Sequence, residues 1–383
     1  MNLKYLLLLV ILTFSCKFQD KNLYEFDPRN LTESNIYLSD IADEIKYIQL
    51  DNSFPHGNIY TFKILDSSIY ISTKDIGIME LSREGKFIRK FGAPGRGPGE
   101  YHYFWQFDVD PKSKSVYLLD FNVIKVYSRT GQFLRSLSLK EIDQDYFGDL
   151  CFYNDKLLIS NYIVRGRSNY SWLVLDTMGI LIKKKFNPIP AFSTNMESTG
   201  GNYLFKNNIY YWEIYNDTIY SISPDFSYKT SFLFSPGDYK WPKYPIRGTI
   251  SDFQTAISKF YRINLIIETF KYRIIQVWGD YVLIDKESNA SYKSGSQKDD
   301  KMGGFINDLD GGMLFQPRSY FTENGREYLV ALLNSSELIT FIKSSDYERN
   351  VSKNIEQKRK FGKLVNGVKE TDNEIIMVVR LKK

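Results

Sequence analysis

The segment Gly92-Ala93-Pro94-Gly95-Arg96-Gly97-Pro98-Gly99-Glu100-Tyr101-His102 concentrates the residues best suited to chemistry. Its glycines allow close backbone approach, and successive N–H groups can form an anion-binding nest. Arg96 adds a fork of donors that matches a carboxylate or a phosphate. No Gly-Lys-Ser/Thr follows, so this is not a Walker loop. Arg96, Glu100 and His102 are therefore the candidate residues for a ligand- or partner-binding rim. The competing reading is that the glycines and prolines only shape a tight crossing between two elements.

Other constellations carry less. Phe107-Asp108-Val109-Asp110-Pro111 has Asp-x-Asp spacing. A calcium loop also needs Gly at its sixth position and a terminal Glu, so an Asp-Pro turn capping a strand is expected instead. Asp120 and Asp176 read as turn formers, and Asn216-Asp217 as a hairpin turn. The chain has 2 histidines, His56 and His102, little material for histidine-based or metal chemistry. No catalytic set, metal site or cofactor is expected. Tyr210, Tyr211, Trp212 and Tyr215 cluster, but alternation splits Tyr210 and Trp212 from Tyr211, so packing is expected. Lys183 to Lys185 and Lys353 to Lys363 read as solvated faces. With a net charge of +5 over 383 residues, nucleic-acid binding is not expected.

The beginning of the chain reads as an address. Lys4 precedes the apolar run Leu6 to Leu12, too short to span a bilayer as a stable helix. The run ends at Thr13-Phe14-Ser15-Cys16, which resembles the lipobox of bacterial lipoproteins. That resemblance implies a lipid on Cys16, with Thr13 standing where such motifs usually carry Leu. Lys17, not Asp, follows, which implies the outer membrane. Residues 1–16 are thus expected to be a lipoprotein signal peptide, 17–40 a tether and 41–383 a single domain. The second cysteine, Cys151, sits among Leu150, Phe152 and Tyr153 and reads as a buried small hydrophobe.

An internal repeat supplies the elements that must position the candidate rim. Ser68 to Ser72, Ile76 to Leu81 and Gly85 to Phe91 form one unit; Ser115 to Asp120, Val123 to Tyr127 and Gly131 to Leu137 form the next. Tyr70 and Tyr117 are 47 positions apart (117 − 70), Gly85 and Gly131 46 (131 − 85). Each unit holds three short strands separated by turns, and a fourth precedes it, at Ile59 to Leu65 and Trp105 to Val109. Four antiparallel strands at this period are the mark of a β-propeller blade. Weaker copies run through Lys156 to Phe186 and Asn208 to Phe234, with central strands at Tyr281 to Asp285 and Glu327 to Leu332. Aromatic residues at 16% fit this β-rich reading.

The expected fold is all-β: a six-bladed β-propeller of four-stranded antiparallel blades with two helical inserts, in 235–270 and 335–361. The strand Ile45 to Leu50 is expected to join the last blade beside Glu374 to Leu381 and close the ring. Segment 92–102 then links one blade to the next across the face where the central channel opens.

Four features carry a resemblance: Ile45 to Leu50 with Asp51, Gly95 to Tyr101, Phe107 to Asp110, and Asp372 to Met377. On these the chain resembles the six-bladed propeller lipoproteins of the bacterial envelope, relatives of NHL-repeat and TolB-like propellers. The resemblance implies an outer-membrane lipoprotein in the cell envelope. Its partners would be the membrane, through the lipid on Cys16, and a small ligand, a glycan or an envelope protein. The function expected is binding on one face. The alternative is a propeller hydrolase or lyase acting at the channel mouth.

Overall fold

The structure is a computed structural model that describes residues 23–73, 76–102, 104–143, 147–161, 168–196, 199–294 and 303–383. Cys16 and the expected signal peptide lie outside the described residues. The first elements are β1 (Glu25–Phe26), β2 (Thr32–Ser34), α1 (Leu38–Ile41) and β3 (Ala42–Gln49). Blade I follows as β4 (Ile59–Leu65), β5 (Ser68–Thr73), β6 (Gly77–Ser82) and β7 (Phe87–Phe91). Blade II is β8 (Phe104–Val109), β9 (Val116–Asp120), β10 (Val123–Tyr127) and β11 (Phe133–Ser138). Blade III is β12 (Asp149–Tyr153), β13 (Lys156–Ser160), β14 (Tyr170–Asp176) and β15 (Leu181–Phe186).

Blade IV is β16 (Gly200–Phe205), β17 (Asn208–Glu213), β18 (Thr218–Ile222) and β19 (Tyr228–Phe234), followed by α2 (Ile250–Ile257). Blade V is β20 (Ile263–Glu268), β21 (Tyr272–Val277), β22 (Asp280–Asp285) and β23 (Ser291–Ser294). Blade VI opens with β24 (Ser319–Glu323) and β25 (Arg326–Leu333). It is interrupted by α3 (Ser335–Ile342), α4 (Ser345–Arg349) and α5 (Ile355–Asn366), and resumes with β26 (Ile375–Leu381).

The order β24-β25-β26-β3 closes the ring as expected: β3 is the outer strand of blade VI, with Ile375 opposite Gln49 and Val379 opposite Ile45. Six antiparallel blades surround the axis, and the first strand of each lies innermost. Inner strands begin at the upper face. Links between blades and the turns between second and third strands therefore lie on that face, and the remaining turns on the lower one.

Strand burial follows blade geometry. Middle strands such as β5 and β9 are buried on both sides because each blade packs between two others, and they read as nearly unbroken apolar runs. Outer strands β7, β11 and β15 alternate instead. The repeated glycine has a specific cause. Gly85 and Gly131 adopt φ of 84° and 86° in turns that dock onto the previous blade. A Cβ would stand 2.3 Å from the Gln49 carbonyl oxygen and 2.8 Å from that of Lys90. The period of the repeat is thus the period of blade-to-blade contact.

Three expectations need correction or refinement. The insert expected over 235–270 ends before Ile263, because the β-branched run from Ile263 forms the inner strand β20. Its helix spans Ile250–Ile257 and starts at a reciprocal capping box formed by Thr249 and Asp252. The second insert extends past residue 361, to the end of α5 at Asn366. Part of the expected tether, 17–40, is also fold. From residue 23 onward β1 pairs in parallel outside β19, and β2 outside β23. Phe26, Ile36 and Leu38 are buried there. Short apolar residues separated by polar ones gave this segment no strand-length pattern.

Candidate functional site

The link between blades I and II is built around one carboxylate. Glu100 accepts the Gly97 N–H at 2.8 Å, and a Cβ on Gly95 would stand 2.0 Å from it. Gly95 N–H donates to the Tyr101 carbonyl at 3.0 Å, folding the link back on itself. Lys125 Nζ donates to the Pro98 carbonyl at 3.1 Å and ties it to blade II. Glu100 therefore holds the shape of the loop. Arg96 is exposed on it and pairs with no described residue.

His102 sits where the link enters blade II. Its backbone N–H donates to Asp120 at 3.0 Å, and its ring Nδ1 lies 3.8 Å from the same oxygen. Asp120, at the end of β9, is buried, whereas the imidazole is largely exposed. Around them opens a concavity of about 560 Å³ lined by His102, Asp120, Phe121, Asn122, Val123, Lys125 and Lys140. Two lysines against one buried carboxylate make its wall basic, suited to a polar or anionic group. Of the three candidates, only His102 lines this space. The acid beside it comes from its own blade.

The second histidine is elsewhere. His56 is buried at the junction of blades VI and I, its Nδ1 2.8 Å from the Gly57 carbonyl, and burial lowers its pKa. Among the described residues no group of three or more His, Cys, Asp or Glu is placed to hold a metal ion.

The inner strands show a polar set that the sequence reading missed. Asp108 pairs with Lys63 of blade I at 3.1 Å and accepts the Phe152 N–H of blade III at 2.8 Å. Asp149 accepts the Asn202 N–H of blade IV at 3.0 Å. Thr61 donates to Gln106 at 2.9 Å. These groups stitch successive blades along the axis. Burial raises the Asp149 pKa to about 6 and holds the Cys151 thiol well above its ordinary range. Cys151 is thus a buried thiol with little thiolate character. The expected Asp-Pro turn is formed by Asp110, which accepts the Lys112 N–H at 2.8 Å, whereas Asp108 reaches between blades. The legible signal was an acid at or near the end of a largely apolar inner strand: Asp108 is the last residue but one of β8, and Asp149 opens β12.

Asp176 and Asn216 form the expected turns, accepting the N–H groups of Ile180 and Thr218. Asp120 instead reaches across to the link. The aromatic cluster is packing: Tyr211 is buried between blades III and IV, and Trp212 between IV and V. Tyr210 stacks on Tyr203 with centroids 4.9 Å apart. Glu213 is a more unusual group at the III–IV junction. It is 2% exposed, and neither carboxylate oxygen has a hydrogen-bond partner among the described residues. Burial raises its pKa to about 8, against the opposing charge of Lys185.

The upper side of blades IV to VI is roofed by inserts. The stretch 235–262 with α2 is itself the IV–V link, and its Phe253, Ile257 and Phe260 pack near Tyr215 and Trp241. Residues 303–318 are held to α1 by Asp308, which accepts the Ser39 N–H at 2.9 Å and pairs with Lys353. Helices α3 and α5 pack Leu338, Phe361 and Val365 onto the core of blades V and VI. The link and the His102 concavity lie over blades I and II.

Comparison with known proteins agrees on architecture. The chain is similar to the crystal structure of a Bacteroides fragilis protein assigned as exported, with a TM-score of 0.63 and 18% identity, covering 94% of this chain and 99% of that one. A protein of unknown function from Bacteroides thetaiotaomicron gives a TM-score of 0.47 at 11% identity, covering 91% and 75%. The virginiamycin B lyase of Staphylococcus aureus gives 0.47 at 12%, covering 75% and 82%. The last two likenesses are too distant to carry a functional argument. No curated protein matches the chain. A family profile described as a domain of unknown function, DUF4934, matches residues 23–380, from just before β1 at the edge of blade IV to β26 in blade VI. The chain belongs to this DUF4934 family, and it folds as a six-bladed β-propeller.

Proposed function

We propose that this protein is an exported lipoprotein, anchored in the cell envelope through Cys16, whose propeller binds a ligand or partner over blades I and II. The observation that carries the binding reading is the division of the upper face. Blades IV to VI are roofed by inserts, and the polar groups of the inner strands are engaged with neighbouring blades. An open basic concavity remains at His102, beside the exposed Arg96. Exposed loop residues held by a rigid scaffold are a common place for recognition. Asp120 fixes the His102 backbone N–H and stands 3.8 Å from its ring, and Lys140 and Arg96 offer charge to an anionic or polar group. The apolar run Leu6 to Leu12 and the motif ending at Cys16 support the anchor.

Two measurements test this. Cys16→Ala should move the protein from the membrane fraction to the soluble fraction; unchanged fractionation sinks the anchor. A thermal-shift screen of acidic glycans and peptides should find a stabilising ligand. At a ligand concentration of 100 times Kd the stabilisation is about 2.7 kcal/mol. His102→Ala and Lys140→Ala should abolish that shift without changing the unliganded melting temperature. A ligand whose shift survives both substitutions places binding elsewhere.

A further inference from the structure

Two blades share one strained turn on the upper face. Between β9 and β10, blade II has Phe121-Asn122, with Asp120 opposite Val123. Between β21 and β22, blade V has Trp278-Gly279, with Val277 opposite Asp280. The inner strands arrive in the same register: Phe104 pairs with Asp120, and Ile263 with Val277. The remaining blades have longer connections at this place. In both short turns the first residue is aromatic and left-handed, with φ of 53° at Phe121 and 56° at Trp278. Hairpins of this length favour Gly, Asn or Asp at such a position, and a bulky residue there is strained. Strain of this kind clusters where a structure binds or clamps something.

Blade V shows what the raised aromatic side chain does. Trp278 is the seat on which the IV–V link docks. Its Nε1 donates to the Phe260 carbonyl at 2.5 Å. The buried Trp241 ring meets it edge to face, with centroids 5.5 Å apart. The Arg262 guanidinium lies 4.9 Å from the Trp278 ring centroid and 5.2 Å from that of Trp241. The guest is an extended stretch of chain: Lys240 has extended backbone, and the Tyr261 N–H donates to the Tyr239 carbonyl at 2.8 Å.

Phe121 holds the corresponding place in blade II, half-buried, and it lines the His102 concavity. We infer that this concavity takes an extended segment of a partner protein, one aromatic side chain of which packs against Phe121 as Trp241 packs against Trp278. Aromatic pairs of this kind are attractive beyond the area they bury. Charge selects what flanks the guest's aromatic residue. In blade V the guest stretch is basic, and its Lys240 pairs with Asp217. In blade II the wall is basic, with His102 and the exposed Lys140, so the guest carries Asp or Glu beside its aromatic residue. This inference rests on the binding reading proposed above and names the class of partner for it.

The test titrates the full chain with the capped peptides Asp-Trp-Asp, Asp-Ala-Asp and Lys-Trp-Lys and with a uronate oligosaccharide, read by saturation-transfer NMR. Saturation should be strongest at the indole protons of Asp-Trp-Asp, and its Kd should be at least about tenfold lower than that of the other two peptides. Phe121→Ala should weaken it at least about tenfold, and Phe121→Leu, which keeps an apolar side chain, at least about threefold. Thermal melts by circular dichroism check that both variants fold. Lys140→Ala should remove the preference for the acidic peptide over Lys-Trp-Lys. Equal binding of the tryptophan and alanine peptides, or Phe121 variants that bind like the wild type while His102→Ala does not, overturns the aromatic seat and leaves the concavity standing. Binding of the uronate in place of every peptide does the same. So does self-association of the chain that Phe121→Leu abolishes, which gives the concavity to a second copy. Binding that no substitution at 102, 121 or 140 alters lies elsewhere and overturns both readings.

Discussion

Blades I to III and blades IV to VI are built differently. Each of the first three takes its four strands from one contiguous stretch. Each of the second three recruits a strand from the N-terminal 49 residues: β1 outside blade IV, β2 outside blade V, and β3 as the outer strand of blade VI. The same three blades carry the roof. One half of the ring is therefore a bare repeat with an open upper face, and the other is edged and covered. The clearest internal repeat belongs to the bare half, because nothing was inserted there to blur its period. The candidate binding residues belong to it as well.

The sharpest way to break this comparison is to remove the shared N-terminal strands. A chain beginning after Leu50 loses the outer strand of blade VI and should show no cooperative unfolding by circular dichroism, since the ring no longer closes. Deleting only residues 23–34 should leave the fold intact and cost roughly 3–6 kcal/mol in denaturant, from lost burial of Phe26 and its neighbours. Retained cooperativity without β3 would show that blades I to III carry the fold alone.

The seam between the halves gives the next largest effect. Glu213 at the III–IV junction has its pKa raised from 4.5 to about 8 by burial. Between those values the folded state holds a proton that the unfolded state has released. Stability is therefore fully present below about pH 4.5 and falls as pH rises toward 8, by on the order of 3–5 kcal/mol. Asp149, raised to about 6, adds a fall of the same sign from about pH 4 to pH 6. Burial lowers the His56 pKa, which has the opposite sign just below pH 6.5. Glu213→Gln isolates the seam: its melting temperature should decline much less between pH 5 and pH 8 than that of the wild type. Parallel pH profiles would place the Glu213 carboxylate in a solvated or paired site.

Two glycines sharpen the comparison further. Gly131 in blade II has positive φ and a docked neighbour, whereas Gly325 in blade VI has a φ of 69° and nothing within 4 Å of the place a Cβ would take. Gly325→Ala should cost only the left-handed backbone term, about 1–2 kcal/mol. Gly131→Ala adds the clash with the Lys90 carbonyl and should cost roughly 3–4 kcal/mol by chemical denaturation. Equal costs would mean that the turn does not set the contact between blades. The smallest effect is expected at the bare edge: Ile182→Ser, at a half-exposed outer position, should change stability by no more than about 0.5 kcal/mol.

The fold was largely legible because a propeller repeats one local pattern. Alternating short strands, the turn glycine and the closing pair Ile45 to Leu50 with Glu374 to Leu381 are all local or periodic signals. The candidate site was legible only in part. The sequence singled out the link 92–102 by composition, but that cannot separate a residue that shapes a loop from one that faces solvent. Glu100 is turned inward onto Gly97, and Arg96 outward. His102 meets Asp120 because β9 returns to the face where the link arrives.

By itself, the sequence determined the six-fold β pattern, the strand that closes the ring, the packing role of most aromatic residues and the burial of Cys151. These follow from hydrophobic periodicity and turn chemistry, which act over a few residues at a time. Tertiary structure decided that Asp108 and Asp149 bind the next blade's backbone, that His56 and His102 never meet, and that the upper side of blades IV to VI is roofed. It also turned the segment after residue 23 from an expected tether into two edge strands. Each outcome depends on groups tens to hundreds of residues apart being brought within hydrogen-bond reach. No local pattern records that, because it exists only once the ring has closed.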